Sequence, residues 1–154
     1  MIELYTFGTS NGQRASVMLE ECGLPYRAHK VDLAAGAQRQ PAFLALNPAG
    51  QIPTLVDPDG PGGRLVVSQS AAILLYLAEK SGKLLPAAGA ERWTVLTWFM
   101  AVMTDVAPAS ASLFYAANRA DPPAPSAVAL FQRRLLDAAT LLDRRLAEAE
   151  FLAG

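Results

Sequence analysis

The sequence predicts an α/β domain followed by an all-helical domain. Within residues 1–80, short runs rich in β-branched and aromatic residues alternate with segments of helical apolar spacing. Residues 81–86, Ser-Gly-Lys-Leu-Leu-Pro, have the composition of a linker. Beyond residue 86, apolar residues recur with helical periodicity along two long segments. We therefore expect the α/β domain at residues 1–80 and the helical domain at residues 87–154.

The first elements of the α/β domain are a strand, a helix and a second strand. The strand spans residues 2–7. The helix spans residues 12–22 and ends at Gly23, because glycine readily adopts the left-handed conformation at a helix C-terminus. The apolar face of this helix consists of Ala15, Met18, Leu19 and Cys22. The second strand spans residues 26–33, and a right-handed crossover makes it parallel to the first.

The rest of this domain is a short helix, a hairpin and a closing helix. The short helix spans residues 40–46. Strands at 54–57 and 64–67 form an antiparallel hairpin around the Pro- and Gly-rich turn at 57–63. The closing helix spans residues 71–80. The order β-α-β and then β-β-α is that of the thioredoxin-like plan.

The helical domain is predicted to contain two long helices. The first spans residues 91–118, and Pro108 should kink or interrupt it because proline lacks the N–H that a helix needs. Its apolar stripe consists of Trp93, Leu96, Met100 and Met103. A turn at 121–125 leads to a second helix at about 126–150, whose candidates for burial are Leu135, Leu142 and Leu146. The methionines and aromatic residues are expected to be core residues rather than ligands of a cofactor.

Composition restricts the classes of function. The chain has 154 residues, 52% of them hydrophobic, and a formal net charge of −1, which disfavours nucleic acid or an anionic membrane as partner. No run approaches the roughly 20 apolar residues of a membrane span, and the chain starts as a strand rather than a signal peptide. The single cysteine, Cys22, is expected to be buried and inert and indicates the cytoplasm. The only histidine, His29, lacks the partners of a metal site.

The segment Asn-Pro-Ala-Gly-Gln-Ile-Pro at 47–53 is the strongest candidate for a ligand site. It reads as a turn whose last residue, Pro53, begins a strand. If the peptide bond before Pro53 is cis, the N–H and C=O groups of Ile52 turn away from the sheet toward a ligand. Such a backbone edge recognises an extended peptide through main-chain hydrogen bonds, as an added strand would.

A second candidate lies where the hairpin leads into the closing helix. Ser70 occupies the position of an N-cap, before an apolar helical stripe. The unpaired N–H groups and positive dipole end of that helix suit a carboxylate. A lone serine here is commonly only a cap, but its pairing with Gln69 and its place beside Ile52 favour a binding site. Together these segments describe a site for a small peptide with an α-amino-acid end.

These segments resemble the thioredoxin-like domain of glutathione S-transferases. The matching features are the Asn-Pro-x-Gly-x-Ile-Pro segment, the Gln-Ser-x-Ala-Ile passage where many members have Glu-Ser, and Leu-Leu-Tyr-Leu at 74–77. The opening Leu-Tyr-Thr-Phe-Gly-Thr-Ser-Asn-Gly at 4–12 is most similar to the bacterial nu class, whose members are glutathione-dependent disulfide reductases. The resemblance covers most of the chain, because the later helices also fit the family's second domain.

The nu-class resemblance implies which residues lie at the glutathione sulfur. It places Thr9 and Asn11 there, with Ser10 as a further candidate in the same loop. Considered alone, such residues before a helix usually only cap it, so the functional interpretation depends on the downstream proline segment. The beta class has cysteine at the position of Asn11, so no nucleophilic cysteine of the protein's own is expected. Tyr5 lies inside the strand and is not the catalytic tyrosine of other classes.

The resemblance also implies a set of glutathione-binding residues. They are Gln38, Gln51, Ile52, Pro53, Gln69 and Ser70. Gln38 would reach the glycyl carboxylate end, and Gln51 would approach the same end from the turn. Gln69 stands where the family usually has glutamate. A neutral amide can still hydrogen-bond the ligand's α-amino and carboxylate groups, but it loses the charge pairing, which implies a lower affinity.

The resemblance implies an enzyme that uses glutathione as co-substrate. The glutathione thiolate would attack an electrophilic carbon or a disulfide sulfur, and the nu-class likeness slightly favours the disulfide. The alternative is a non-catalytic binding or assembly module of the same fold. The family's two-fold homodimer is expected, with a small hydrophobic electrophile or disulfide as second substrate. The chain stops before the Ser/Thr-x-x-Asp capping box and later helices of the family pattern, so we expect a C-terminal part to be missing.

Overall fold

The computed structural model describes residues 1–154 and divides into two compact units, Met1–Leu85 and Pro86–Gly154. The strands of the first unit are β1 (Ile2–Thr6), β2 (Tyr26–Lys30), β3 (Thr54–Gly60) and β4 (Gly63–Ser68). Its helices are α1 (Ser10–Cys22), α2 (Pro41–Leu44) and α3 (Ser70–Ser81), with a 3-10 turn at Ala37–Arg39 before α2. The second unit contains α4 (Gly89–Ala101), a π-helical turn (Val102–Val106), α5 (Ala107–Asn118) and α6 (Pro125–Leu146).

The first unit is a thioredoxin-like fold built on one mixed sheet. The strand order is β2-β1-β3-β4, in which β1 and β2 are parallel and the other pairs are antiparallel. The predicted parallel crossover and antiparallel hairpin are both confirmed. The largest apolar side chains with no exposed surface are Leu4, Leu19, Leu55, Ile73 and Leu77. Because they come from β1, α1, β3 and α3, a single core holds the two helices against the sheet.

Two elements of this unit are shorter than the sequence predicts. β2 ends at Lys30 rather than at residue 33, because the Asp32 carboxylate accepts hydrogen bonds from the amides of Ala34 and Ala35 at 3.1 and 3.3 Å and turns the chain. The helix predicted at 40–46 is reduced to α2. It begins at Pro41, whose missing N–H is harmless in the first helical turn.

The β3–β4 hairpin is longer than predicted. β3 continues to Gly60, and the turn contracts to residues 61–62, with a register shift between Asp57 and Gly60. A Cβ at Gly60 would lie 2.6 Å from the Cβ of Leu65, so the two strands approach too closely for any other residue. Since β1 pairs with β3 only at Val56, Leu55 and Thr54, the end of the hairpin projects beyond β1.

The second unit begins with one uninterrupted helical run from Gly89 to Asn118. Pro108 does not break it; the disturbance takes the form of the π-helical turn at 102–106, immediately before the proline. Proline cannot donate to the carbonyl four residues earlier, that of Thr104, and a local change of helical pitch accommodates the missing bond. α6 ends at Leu146 rather than at residue 150.

Some residues predicted to be core residues of the second unit are exposed. Trp93 is 69% exposed, Met100 45% and Leu146 49%, so the prediction that they are buried is wrong for this chain. Among α4, α5 and α6 only Ala109 is buried. Each of the three helices packs against the others along one side, and its opposite side stays uncovered.

The run Gly89–Asn118 is also long and apolar enough, by length and composition alone, to cross a membrane. This corrects the expectation that no segment approaches such a length. Core helices of soluble proteins satisfy the same criterion.

Candidate functional site

The predicted site loops all lie at one end of the sheet, where β1, β2 and β4 end and β3 begins. We call this end the sheet edge. β3 starts there at Thr54, which pairs with Ser68, the last residue of β4. β1 ends beside them at Thr6, and Thr6 pairs with Lys30, the last residue of β2. The loops that follow β1, β2 and β4, and the loop that precedes β3, therefore leave from the same edge. The predicted site residues on these loops are 9–11, 38, 51–53 and 69–70.

Thr9 is the N-cap of α1. Its backbone is extended (φ −111°, ψ 160°), and its Oγ1 accepts a hydrogen bond from the amide of Gly12 at 3.2 Å. The interpretation of this residue as a helix cap therefore holds. Capping uses a lone pair of the hydroxyl and leaves its hydrogen unused. Thr9 is able to cap α1 and to donate to a ligand atom in front of the helix at the same time.

Two amides at the start of α1 have no partner in the chain. The amide of Gln13 donates to the Thr9 carbonyl at 2.9 Å, which leaves the amides of Ser10 and Asn11 unpaired. The Asn11 side chain accepts from Arg14 Nη1 through Oδ1 at 2.7 Å, so its Nδ2 donor remains available. With the positive end of the helix dipole, these donors favour a negative charge in front of α1.

The 47–53 turn is held together by a buried asparagine whose role sequence reasoning missed. Asn47 is 6% exposed, and its Nδ2 donates to the Gln51 carbonyl at 2.7 Å and to the Thr54 hydroxyl at 3.2 Å. Its Oδ1 accepts from the Ala49 amide at 3.1 Å. An asparagine before a Pro-x-Gly turn is the signal that predicts such a bridging side chain.

This turn presents an unpaired stretch of backbone at the sheet edge. The peptide bond between Ile52 and Pro53 is cis, and Pro53 is buried. The amide and carbonyl of Ile52 make no hydrogen bond within the chain. Pairing of β3 starts only at Thr54. The main-chain polar groups of Ile52 are therefore available to a peptide laid along this edge.

The start of α3 differs by one residue from the prediction. Gln69 is the N-cap and Ser70 is the first helical residue, because the first helical bond runs from the Ile73 amide to the Gln69 carbonyl at 3.0 Å. Gln69 has φ 71° and ψ 121°, a conformation that non-glycine residues rarely adopt and that concentrates at ligand sites. Because Gln69 is the N-cap, the Ser70 hydroxyl and the first three amides of α3 have no partners in the chain.

The 3-10 turn after β2 packs directly on the 47–53 turn. A Cβ at Gly50 would lie 3.0 Å from the Gln38 carbonyl and 2.9 Å from Arg39 Nη1, and Gly50 has φ 61°, so glycine is required there twice over. The Oε1 of Gln38 is buried and has no hydrogen-bond partner. Arg39, which sequence reasoning missed, makes no ion pair within the chain. The sequence signal for Arg39 was its position as a basic residue next to the candidate site residue Gln38.

The remaining reactive side chains lie away from this edge. Cys22 is 4% exposed at the opposite end of α1, and its Sγ accepts a hydrogen bond from the Ser81 hydroxyl at 3.2 Å. Tyr5 lies within β1, and its ring stacks on His29 with centroids 4.6 Å apart. No cluster of three His, Cys, Asp or Glu residues is placed to hold a metal ion.

The sheet brings together an unpaired stretch of backbone and two helix N-termini. This arrangement is that of a peptide-binding thioredoxin-like domain. Residues 10–80 match the family model described as the glutathione S-transferase N-terminal domain. The chain is 36% identical over 156 residues to the disulfide-bond oxidoreductase YfcG of Escherichia coli (strain K12). It is 35% identical over 172 residues to the disulfide-bond oxidoreductase YghU of the same organism. The chain belongs to the glutathione S-transferase family.

Solved structures of bacterial relatives share the fold over almost the whole chain. A glutathione transferase family member from Pseudomonas fluorescens pf-5, solved with two glutathione molecules bound, superposes with a TM-score of 0.93 at 35% identity over 99% of this chain. A glutathione transferase from Pseudomonas putida, solved with one glutathione disulfide bound per subunit, gives a TM-score of 0.91 at 35% identity over 98% of this chain.

The relatives are longer than this chain. The alignments cover 100% of this chain and 73% of YfcG, and 99% of this chain and 55% of YghU. The Pseudomonas structures are covered to 69% and 67%.

Proposed function

We propose that this protein is a glutathione-dependent enzyme that reduces disulfides through a glutathione thiolate. The observation that carries the proposal is the convergence, at one sheet edge, of the unpaired Ile52 backbone and the unpaired N-terminal amides of α1 and α3. These are the groups that a thiol-containing peptide with anionic ends requires. The names of the E. coli relatives, both disulfide-bond oxidoreductases, support the choice of disulfide.

In this proposal glutathione lies across the edge as an additional strand. The Ile52 amide and carbonyl pair with the cysteinyl residue, beside the buried Pro53 ring. Gln69 and the start of α3 at Ser70 receive the γ-glutamyl end, whose carboxylate suits the unpaired amides.

The glycyl end of glutathione would lie at the 3-10 turn. The Gln38 side chain, whose buried Oε1 has no partner, and the exposed side chain of Gln51 would both reach this end of the ligand. The unpaired Arg39 guanidinium, packed on Gly50, supplies the positive charge that a carboxylate requires.

The thiolate is stabilised at the start of α1. A drop of about 2 units in the thiol pKa, from about 8.5, requires about 2.7 kcal/mol of preferential stabilisation of the thiolate. A hydrogen bond from the Thr9 hydroxyl, helped by the Ser10 amide, the Asn11 donors and the helix dipole, supplies that amount. Thr9 has the principal role, because its hydroxyl is fixed by the Gly12 amide.

Disulfide reduction then proceeds by two thiol–disulfide exchanges. The bound thiolate attacks one sulfur of the substrate disulfide, forming a mixed disulfide and expelling the other sulfur as a thiolate that takes a proton from water. A second glutathione thiolate attacks the mixed disulfide at the glutathione sulfur, releasing oxidised glutathione and the second substrate thiol. The second glutathione is required because Cys22 is buried about 18 Å along α1 from the site.

Two alternatives have specific support. Attack on an electrophilic carbon uses the same thiolate and fits the glutathione transferase relatives from Pseudomonas. A non-catalytic glutathione-binding module is favoured by the neutral Gln69, where a charged partner for the ligand's amino group is absent. These alternatives predict turnover of 1-chloro-2,4-dinitrobenzene in the first case and no turnover of any substrate in the second.

We further propose that the protein works as a cytoplasmic homodimer. Trp93 and Met100 are exposed and lie seven residues apart, on one side of α4, and Phe114 and Tyr115 are exposed on α5. Apolar groups of this size on a surface favour association. The single reduced cysteine supports the cytoplasm. Sedimentation equilibrium of the wild type and of Trp93→Glu tests the dimer.

The test of the enzyme combines binding and turnover. Millimolar glutathione should raise the melting temperature of the wild type by several degrees, with a smaller shift for Ser70→Ala. Thr9→Ser should keep glutathione-dependent reduction of hydroxyethyl disulfide, and Thr9→Val should lose most of it. An unchanged melting temperature in millimolar glutathione would refute the proposed site, whereas stabilisation without turnover would establish the binding module.

A further inference from the structure

A buried polar cluster in the first unit joins β3 to α3. Asp57 is 1% exposed, and its Oδ2 accepts hydrogen bonds from the Tyr76 hydroxyl at 2.5 Å and the Lys80 ammonium at 2.8 Å. Its Oδ1 accepts from the amide of Asp59 at 2.9 Å. Three donors thus replace the water that the buried carboxylate has lost, and one of them carries the compensating charge.

The cluster lies where the hairpin leaves the rest of the sheet. Asp57 is the first residue of β3 beyond its pairing with β1, which ends at Val56. Lys80 also donates to the Asp59 carbonyl at 3.1 Å, so α3 holds the chain on both sides of Pro58. A Cβ at Gly60 would lie 3.3 Å from the Tyr76 hydroxyl, which shows how closely the hairpin fits against α3.

The two elements that the cluster joins both carry the glutathione site at their other ends. β3 begins directly after the Ile52–Pro53 edge, and α3 begins at Ser70. Ile73 and Leu77 hold α3 in the core through apolar contacts, which are individually not directional. Hydrogen bonds are directional, so the Asp57 cluster adds a directional restraint on the orientation of α3 relative to β3.

A small reorientation of α3 is sufficient to disturb the site. Tyr76 is six residues from Ser70, or about 9 Å along the helix axis. A rotation of about 10° about the core contacts therefore moves the Ser70 amide by about 1.5 Å. A shift of that size takes an N–H···O hydrogen bond beyond the range of about 2.7–3.2 Å in which it forms, so it weakens binding of the ligand.

We propose that Asp57, Tyr76 and Lys80 are positioning residues of the glutathione site. They set the distance between the Ile52 backbone edge and the N-terminal amides of α3, although none of them touches the ligand. This inference rests on the proposed function, since it requires that both of these groups bind glutathione.

The test separates glutathione affinity from folding. Tyr76→Phe removes one hydroxyl with little change of shape, and Lys80→Met removes the compensating charge. Glutathione Kd is measured by calorimetry at a temperature at which circular dichroism shows every variant to be folded. We expect Tyr76→Phe to raise Kd and the KM for glutathione by about 3- to 10-fold, with kcat at saturating glutathione within about twofold of the wild type. Amide resonances of Ser70 and its two successors should shift in the absence of ligand.

Two control variants make the test specific. Ile2→Val removes a buried methylene from the same core without touching the cluster, and should lower stability while leaving Kd unchanged. Lys80→Arg keeps a charged donor and should bind glutathione more tightly than Lys80→Met.

The possible outcomes separate this inference from the proposed function. If the wild type binds glutathione and Tyr76→Phe and Lys80→Met bind it equally well, the cluster is purely structural and the inference is overturned. If the wild type does not bind, the proposed function fails and the inference with it. Asp57→Asn provides a third variant; should it not fold, the other two decide the question.

Discussion

Replacement of Thr9 by valine tests the origin of the thiolate most directly. Valine keeps the shape of threonine but removes the hydroxyl, which accepts from the Gly12 amide at 3.2 Å and has its hydrogen available to the ligand. The substitution therefore removes two interactions with different consequences. Loss of the cap affects folding, and loss of the donor affects only the bound thiol.

The two losses have separable magnitudes. The missing cap should cost about 1 kcal/mol of folding free energy. The missing hydrogen bond to a charged sulfur should cost about 1.5–3 kcal/mol of thiolate stabilisation. At about 1.4 kcal/mol per unit, the pKa of the bound glutathione thiol should rise by about 1–2 units. With a wild-type pKa of about 6.5, the thiolate fraction at pH 7 would then fall roughly 3- to 25-fold.

Ultraviolet absorbance of the thiolate, titrated against pH in the presence of saturating glutathione, measures this pKa. Thr9→Ser retains the hydroxyl and should titrate as the wild type. Urea unfolding in parallel separates the loss of the cap. Suppose that the pKa of glutathione bound to Thr9→Val equals that in the wild type, while stability falls by the amount of a lost cap. Thr9 is then only a cap, and Ser10 or Asn11 holds the sulfur.

Three further predictions address the supporting structure. Gly50→Ala should lower the free energy of unfolding in urea more than Gly36→Ala. Both glycines have positive φ, but only at Gly50 would the new Cβ lie 2.9 Å from Arg39; equal losses of about 1–2 kcal/mol would mean that the approach relaxes. Arg39→Ala should weaken glutathione binding about 10-fold, and Arg27→Ala, which removes an exposed cation from β2, should not; equal Kd values would exclude Arg39 from the site. At Asp57, burial acts to raise the carboxyl pKa, but hydrogen bonds from α3 side chains and a backbone amide outweigh it and lower the pKa below its usual value. A pKa lowered by folding stabilises the fold above the unfolded pKa of about 4, and the contribution is lost as pH falls. Asp57→Asn should therefore flatten the decline of urea stability between about pH 5 and pH 2, and a decline like that of the wild type would contradict this assignment.

The periodic elements of the first unit were predictable because their signals are local. The apolar face of α1 and the β-branched runs of β1 and β3 follow from spacing alone, and Gly23 marks the end of α1 in the predicted left-handed conformation. The longer hairpin was not predictable, because β3 beyond Asp57 is held by partners on β4 and α3 rather than by its own sequence. Propensity disfavours a strand through an Asp-Pro-Asp-Gly segment, and the tertiary contacts override it.

The backbone of the candidate site was predictable where a residue type strongly favours one conformation. The Pro53 segment and the loop before α1 are of this kind. The N-cap of α3 was predicted one residue too late, at Ser70. A glutamine side chain gives no sign of the positive φ that Gln69 adopts. The position of Arg39 depends on the close approach of two distant turns at Gly50, which no local pattern encodes. On α4, Trp93 shows the same limit, since spacing identifies an apolar face but not whether another element covers it.

The composition of the sheet edge restricts what kind of catalyst it can be. None of the three loop residues before and within the start of α1 (Thr9, Ser10 and Asn11) titrates near neutral pH. Cys22 and His29 lie elsewhere, so no side chain is placed there as a nucleophile or general base. In the proposed function, reactivity therefore comes from fixed donors and helix dipoles that favour the thiolate of the ligand itself. Under this mechanism the pH dependence of the reaction near neutrality is that of glutathione, and the protein contributes only the displacement of its pKa.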